Sequence, residues 1–169
     1  MVRDTFDKLN KNILSCSRCN ISPNRGLGYG NIESEVMIIA QCPGWQPLSK
    51  SEDIIPFGLD KGGENSGRYL VKLIKDLNIE DFYITNIIKC PTPNNRVLSI
   101  EEIDNCIIKL KIELKIQNPK LVLLLGKVAE KEFKRLDFSG KVFSIWHPAY
   151  ILRNPNRYEE WKERIISVW

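Results

Sequence analysis

The chain has 169 residues, 43% hydrophobic and 27% charged, with a formal net charge of +4 at pH 7 and a pI near 8.8. That length fits a single domain, residues 1–169, burying roughly 70% of the surface of its unfolded chain. The composition excludes a disordered or fibrous protein, no apolar run approaches the ~20 residues of a membrane helix, and the mild positive charge permits a nucleic-acid partner without requiring one.

In chain order, the N-terminal segment Met1-Val-Arg-Asp-Thr-Phe-Asp7 carries charge where a secretory signal needs an apolar core, so the expected location is cytoplasmic. Thiols stay reduced there, and five unevenly spaced cysteines therefore argue against a disulfide framework. Cys16-Ser-Arg-Cys19 is a C-x-x-C pair followed by an irregular stretch, 20–35. Val36-Met-Ile-Ile-Ala40 is the first predicted strand, and it runs into the turn Ala40-Gln-Cys-Pro-Gly44. A second irregular stretch, 43–67, precedes a predicted helix over 66–77, with Leu70, Leu73, Ile74 and Leu77 at helical spacing. Loops this long in a compact domain are usually functional or disordered, and the place of these two beside the cysteines or after the first strand favours function.

Residues 82–88 form the next predicted strand, ending just before Cys90 and the loop Pro91-Thr-Pro-Asn-Asn-Arg96. Ser99 with Glu102 reads as a capping box opening a helix that carries Ile103, Cys106, Ile107, Leu110 and Leu114 and stops before Pro119. Strands over 121–125 and, more weakly, 141–145 flank a helix over 127–136, and a polar helix is expected over 157–168. Strands apolar on both faces, alternating with helices, imply a three-layer α/β/α sandwich around a central, mainly parallel four-stranded sheet.

Several residues carry potential chemistry. Cys16, Cys19, Cys90 and Cys106 supply four thiolates, enough for a 4Fe–4S cluster or a tetrahedral zinc. The fifteen residues between Cys90 and Cys106 break the paired-knuckle pattern usual in structural zinc and favour the cluster. Asn86 interrupts an apolar strand, where its amide must be satisfied, and an amide offers a donor and an acceptor side by side. The single histidine, His147, follows the last predicted strand in Trp146-His-Pro-Ala-Tyr-Ile-Leu-Arg153. It is expected in a loop at the same sheet edge as Gln41 and Asn86, where α/β proteins keep ligands.

Together these motifs resemble the family-four, iron–sulfur uracil-DNA glycosylases. The resemblance rests on the four cysteines, on Ile84-Thr-Asn-Ile-Ile-Lys-Cys-Pro-Thr-Pro-Asn-Asn-Arg96 and on His147-Pro-Ala-Tyr-Ile-Leu-Arg153, and it spans nearly the whole chain. It implies a monomeric DNA-repair enzyme that flips uracil out of single- or double-stranded DNA and hydrolyses its N-glycosidic bond, leaving an abasic site. By that resemblance Phe57 would stack on uracil, Asn86 would read its Watson–Crick edge and His147 would hydrogen-bond a carbonyl of the departing base. Gln41, Cys42 and Pro43 would complete the pocket. The resemblance also implies a structural 4Fe–4S cluster on Cys16, Cys19, Cys90 and Cys106.

The chain departs from the family pattern at the first motif. Where the family reads Gly-Glu-Ala-Pro-Gly, this sequence has Ala40-Gln-Cys-Pro-Gly44 and then Trp45-Gln-Pro47. A neutral Gln41 orients water but cannot act as a general base at neutral pH. The 56–67 segment is also longer than the family's link, so Asp53, Asp60 and Glu64 are candidates to return a carboxylate. Phosphate contacts are expected from Lys89, Arg96 and Arg153, and Ile151 and Leu152 are candidate apolar wedges. Two rival readings remain: a glycosylase-like module that binds DNA without cutting it, and a zinc-stabilised nucleic-acid-binding protein.

Overall fold

The computed structural model describes residues 2–44, 54–63 and 65–167. Its elements are α1 (Val2–Leu14), β1 (Tyr29–Gly30), β2 (Val36–Ala40), α2 (Gly67–Asp76), β3 (Tyr83–Asn86), α3 (Ile100–Gln117), β4 (Leu121–Leu125), α4 (Lys127–Phe133), β5 (Lys141–Ile145), α5 (Pro148–Arg153) and α6 (Tyr158–Ile166), with short 3-10 turns between some of them.

The strands form one sheet in the order β1-β3-β2-β4-β5. Every pairing is parallel except that of β1, which runs antiparallel to β3. The sheet is thus five-stranded, not four-stranded as expected. β1 has two residues, one of them Gly30 at φ 104, too short to show a period-two pattern. The predicted 82–88 strand also keeps ladder geometry only over Tyr83–Asn86, although the Ile87 and Ile88 amides still donate to the carbonyls of Ala40 and Gln41.

Side chains alternate across the sheet and define two cores. Met37, Ile39, Tyr83, Val122 and Leu124 face α1, α3 and α4, where Phe6, Leu110 and Phe133 meet them. Ile38, Ala40, Ile84, Leu123 and Leu125 face α2, α5 and α6, where Leu70, Ile151 and the fully buried Trp161 meet them. Helices on both faces explain why these strands are apolar throughout. Helix α1 was not anticipated from the sequence, although Phe6, Leu9 and Ile13 lie on one stripe and are buried.

Helix α3 begins as expected: the Glu102 amide donates to Ser99 Oγ at 3.1 Å and Glu102 Oε2 accepts from the Ser99 amide at 2.8 Å. It ends at Asn118, whose left-handed φ of 52 precedes Pro119. Between α3 and β3 lies a buried ion pair. Lys89 Nζ donates to Glu113 Oε2 at 2.5 Å, to Thr85 Oγ1 at 2.6 Å and to the Asn86 carbonyl at 2.7 Å. Both charged side chains are essentially inaccessible, at 1% and 0% exposure. Among the described residues, no helix is long and apolar enough to cross a membrane.

Candidate active site

Strand order reverses between β2 and β4, and ligand crevices in open α/β sheets form beyond the strand ends at such a point. A cavity of roughly 420 Å³ lies there, lined by the turn after β2, the end of β3 and the start of α5. Its walls include Gln41, Cys42, Pro43, Phe57, Asn86, His147 and Arg153, so residues spread over more than a hundred positions converge on one pocket. That volume suits a ligand of small-molecule size.

Each side chain is placed by a local device. Parallel register sets Asn86 beside Ala40, so the amide emerges next to the turn that follows β2. Asn86 is 2% exposed, and its main-chain carbonyl is held by Lys89. Phe57 lies in a 3-10 turn, Pro56–Lys61, at φ 57 and ψ 13, a conformation that bulky residues rarely adopt. Gly67 makes this possible: a Cβ there would fall 2.1 Å from the Phe57 carbonyl oxygen. The Phe57 ring stands 5.5 Å from the His147 imidazole, centroid to centroid, tilted by 43°.

His147 lies, as expected, in the short link after β5, where it serves as the N-cap of α5. Its Nδ1 accepts the Ala149 amide at 3.1 Å, which leaves the ring proton on Nε2. Burial, reinforced by the Arg153 guanidinium, lowers its pKa to about 4. The imidazole is therefore neutral at physiological pH and offers one N–H donor. Behind it, Gly126 at φ 89 keeps the β4–α4 turn close, where a Cβ would stand 3.1 Å from His147 Cβ.

Among the described residues, no aspartate or glutamate lines this pocket. Asp60 is exposed on the Pro56–Lys61 turn, while Asp53 and Glu64, like Trp45, Gln46 and Pro47, lie outside the described residues. Asn65, Ser66, Asn95 and Ala149 also line the cavity and were not anticipated. Only the positive φ values of Asn65 and Asn95, 46 and 54, set two of them apart, and the sequence shows no more than asparagines in loops.

The expected phosphate contacts fare differently. Arg153 is exposed at the pocket rim. Arg96 is half-exposed but engaged with Glu102, with contacts of 2.9 and 2.5 Å. Lys89 is corrected: it is 1% exposed and neutralises Glu113 inside the protein, so no phosphate reaches it. Ile151 is corrected likewise, being fully buried under α5 in contact with the core, while Leu152 is half-buried.

The four expected ligand cysteines line a second, narrow cavity together with Arg25 and Lys109. Burial pushes the Cys90 thiol up to about 11, against the pull of Arg25, with nearby Cys106, Cys16 and Cys19 adding to the rise. The Lys89 amide donates to Cys106 Sγ at 3.2 Å, and the Asn105 amide approaches Cys19 Sγ at 3.6 Å. Arg25 donates to the Ser22, Asn24 and Cys16 carbonyls, and Lys109 to the Cys16 thiol. Two cations buried to 9% and 4% exposure thus face a set of sulfurs. Among the described residues, no three His, Cys, Asp or Glu side chains are grouped so as to hold a metal ion.

A pocket at the switch point of a mainly parallel sheet with helices on both faces, lined by an amide, a neutral imidazole and an aromatic ring, defines an α/β protein with a candidate ligand site at its strand ends. The family model of the uracil DNA glycosylase superfamily matches residues 27–168, and the chain belongs to that superfamily. It is 26% identical to a type-4 uracil-DNA glycosylase of Archaeoglobus fulgidus, with 98% of this chain and 92% of that protein covered. The enzymes of the same name from Thermotoga maritima and Pyrobaculum aerophilum are 28% and 29% identical, each over 89% of this chain and over 85% and 86% of their own lengths.

Proposed function

We propose that this protein is a monofunctional uracil-DNA glycosylase, which takes uracil out of DNA and hydrolyses its N-glycosidic bond without a covalent enzyme intermediate. The observation that carries this reading is the convergence of Phe57, Asn86 and His147 on one cavity. A flipped uracil would stack on Phe57 while the Asn86 amide, donor beside acceptor, pairs with its polar edge. Cytosine presents the opposite pattern at that edge, so an amide held in the uracil-reading orientation would leave both partners unpaired, a costly mismatch in a buried site.

As the glycosidic bond breaks, negative charge develops on the base oxygens. His147 meets it with Nε2–H, a fixed neutral donor that needs no reorganisation. A neutral donor also holds substrate without paying to bury a cation. Gln41 would orient the attacking water, with leaving-group stabilisation supplying most of the rate. Arg153, at the rim, would neutralise a phosphate near the flipped nucleotide.

We read the cysteine cavity as the site of a 4Fe–4S cluster, with a single zinc ion as the alternative. The buried Arg25 and Lys109 and the amide donors at sulfur suit an anionic group. Bound there, a cluster would act structurally, tying the Cys16–Cys19 segment to the loop after Cys90.

The test is release of uracil from oligonucleotides carrying one uracil, single-stranded and paired, followed by cleavage of the abasic product in alkali. Strand scission for the wild type, slowed by ~100-fold or more in His147→Ala, is the expected result. Tight binding without scission would instead make the protein a reader of uracil in DNA, the reading that the neutral Gln41 favours. Iron and sulfide analysis of anaerobically purified protein tests the cluster.

A further inference from the structure

Flipping a nucleotide from a duplex leaves a gap in the stack, and the chain carries apolar side chains suited to fill it where the sequence did not point. Ile151 is buried. Val97 and Ile100, by contrast, are 86% and 75% exposed, the two most exposed large hydrophobic side chains among the described residues. Isolated exposed apolar residues are ordinary; two within four positions, beside a ligand cavity, are not.

Their support is unusually firm for a loop. The Asn95 amide donates to the Thr92 carbonyl and the Arg96 amide to the Pro93 carbonyl, at 2.9 and 3.1 Å. Thr92, itself fully buried, donates through Oγ1 to the Arg96 carbonyl at 3.2 Å. Arg96 grips Glu102 through two nitrogens, and Glu102 simultaneously closes the capping box with Ser99. Leu98, between the two exposed residues, packs inward on the core. The loop also starts beside Cys90 and leads to Cys106, both lining the cysteine cavity. A loop held at so many points does not fold its apolar side chains away.

Position supplies the occupant. Asn95 lines the base pocket, and two residues of extended chain span at most about 7 Å, so the Val97 backbone lies within that reach of the pocket wall. We infer that Val97 and Ile100 form a rigid apolar ridge that enters the duplex stack at the site of the flipped base, making this loop the determinant of activity on double-stranded DNA. The inference rests on the glycosylase reading. Apolar wedges that occupy an opened base step are a general device of duplex-distorting proteins. Single-stranded DNA has no opposing stack to hold open and no need of the ridge.

The experiment compares the double variant Val97→Ala/Ile100→Ala, the single variant Val97→Ser and the conservative Val97→Leu with wild type. Each is assayed on one uracil oligonucleotide, alone and annealed to its complement. For the double variant we expect duplex activity to fall by about tenfold or more, with single-strand activity within about twofold of wild type. Val97→Ser should show a smaller loss of the same kind, and Val97→Leu should keep the wild-type ratio. Retained single-strand activity also reports a folded pocket. Equal loss on both substrates, unchanged duplex activity, or a wild type that cuts only single strands would overturn the ridge while leaving the glycosylase reading intact. A wild type that cuts neither substrate would overturn both.

Discussion

His147 shows how much of a residue's chemistry is set by its neighbours. As the N-cap of α5 it spends Nδ1 on the Ala149 amide, so one hydrogen bond fixes both tautomer and ring orientation. Burial and Arg153 hold its pKa near 4, below the usual 6.5. Protonation therefore begins only well below neutrality, and the neutral fold is favoured above the unfolded value and loses that advantage as pH falls toward 4. Uracil excision is expected to show no loss attributable to His147 between about pH 8 and pH 5.5, where an unperturbed histidine would titrate. A break in the rate near pH 6.5 that disappears in His147→Ala would contradict this. On duplex or single strand, His147→Ala should lower kcat by ~100-fold or more, the usual cost of removing one preorganised donor. Gly67 is the second sensitive residue. Gly67→Ala places a methyl against the Phe57 carbonyl, and should cut activity by about tenfold or more through displacement of the ring proposed to stack on uracil, while circular dichroism stays unchanged.

At the scale of elements, β3 and α3 are joined by Lys89 and Glu113, which also steady the main chain of Asn86. Removing one member strands a buried charge, so Lys89→Ala is expected to lose about 3–5 kcal/mol in denaturant unfolding. Lys89→Met with Glu113→Leu should recover most of it, because both charges leave together. A double variant as unstable as the single one would mean that the pair does more than neutralise itself. Sequence periodicity located β2, β4, α2 and α3 well, since each carries an uninterrupted pattern. The capping box of α3 was legible because it is a contact between residues three apart. β1 and α5 were not, being two and six residues long and formed by partners distant in sequence.

For the molecule as a whole, the cysteine cavity joins the N-terminal segment, the loop after β3 and helix α3. On the proposed cluster and glycosylase readings, Cys90→Ser is expected to lower melting temperature and affinity for uracil DNA together, and to reduce bound iron; a variant losing iron but neither of the others would separate the cavity from DNA binding. Residue types, order and spacing sufficed to reveal a layered α/β protein, a set of thiols and several residues that meet in one pocket, because alternation, helical stripes and capping are local and are written into neighbouring residues. What folding alone decided is which charges face solvent and which face each other. Lys89 looked like a phosphate ligand and Ile151 like a wedge because exposure depends on what packs above a residue. The chain carries no local mark of Glu113 waiting across the core, or of Val97 left exposed to solvent.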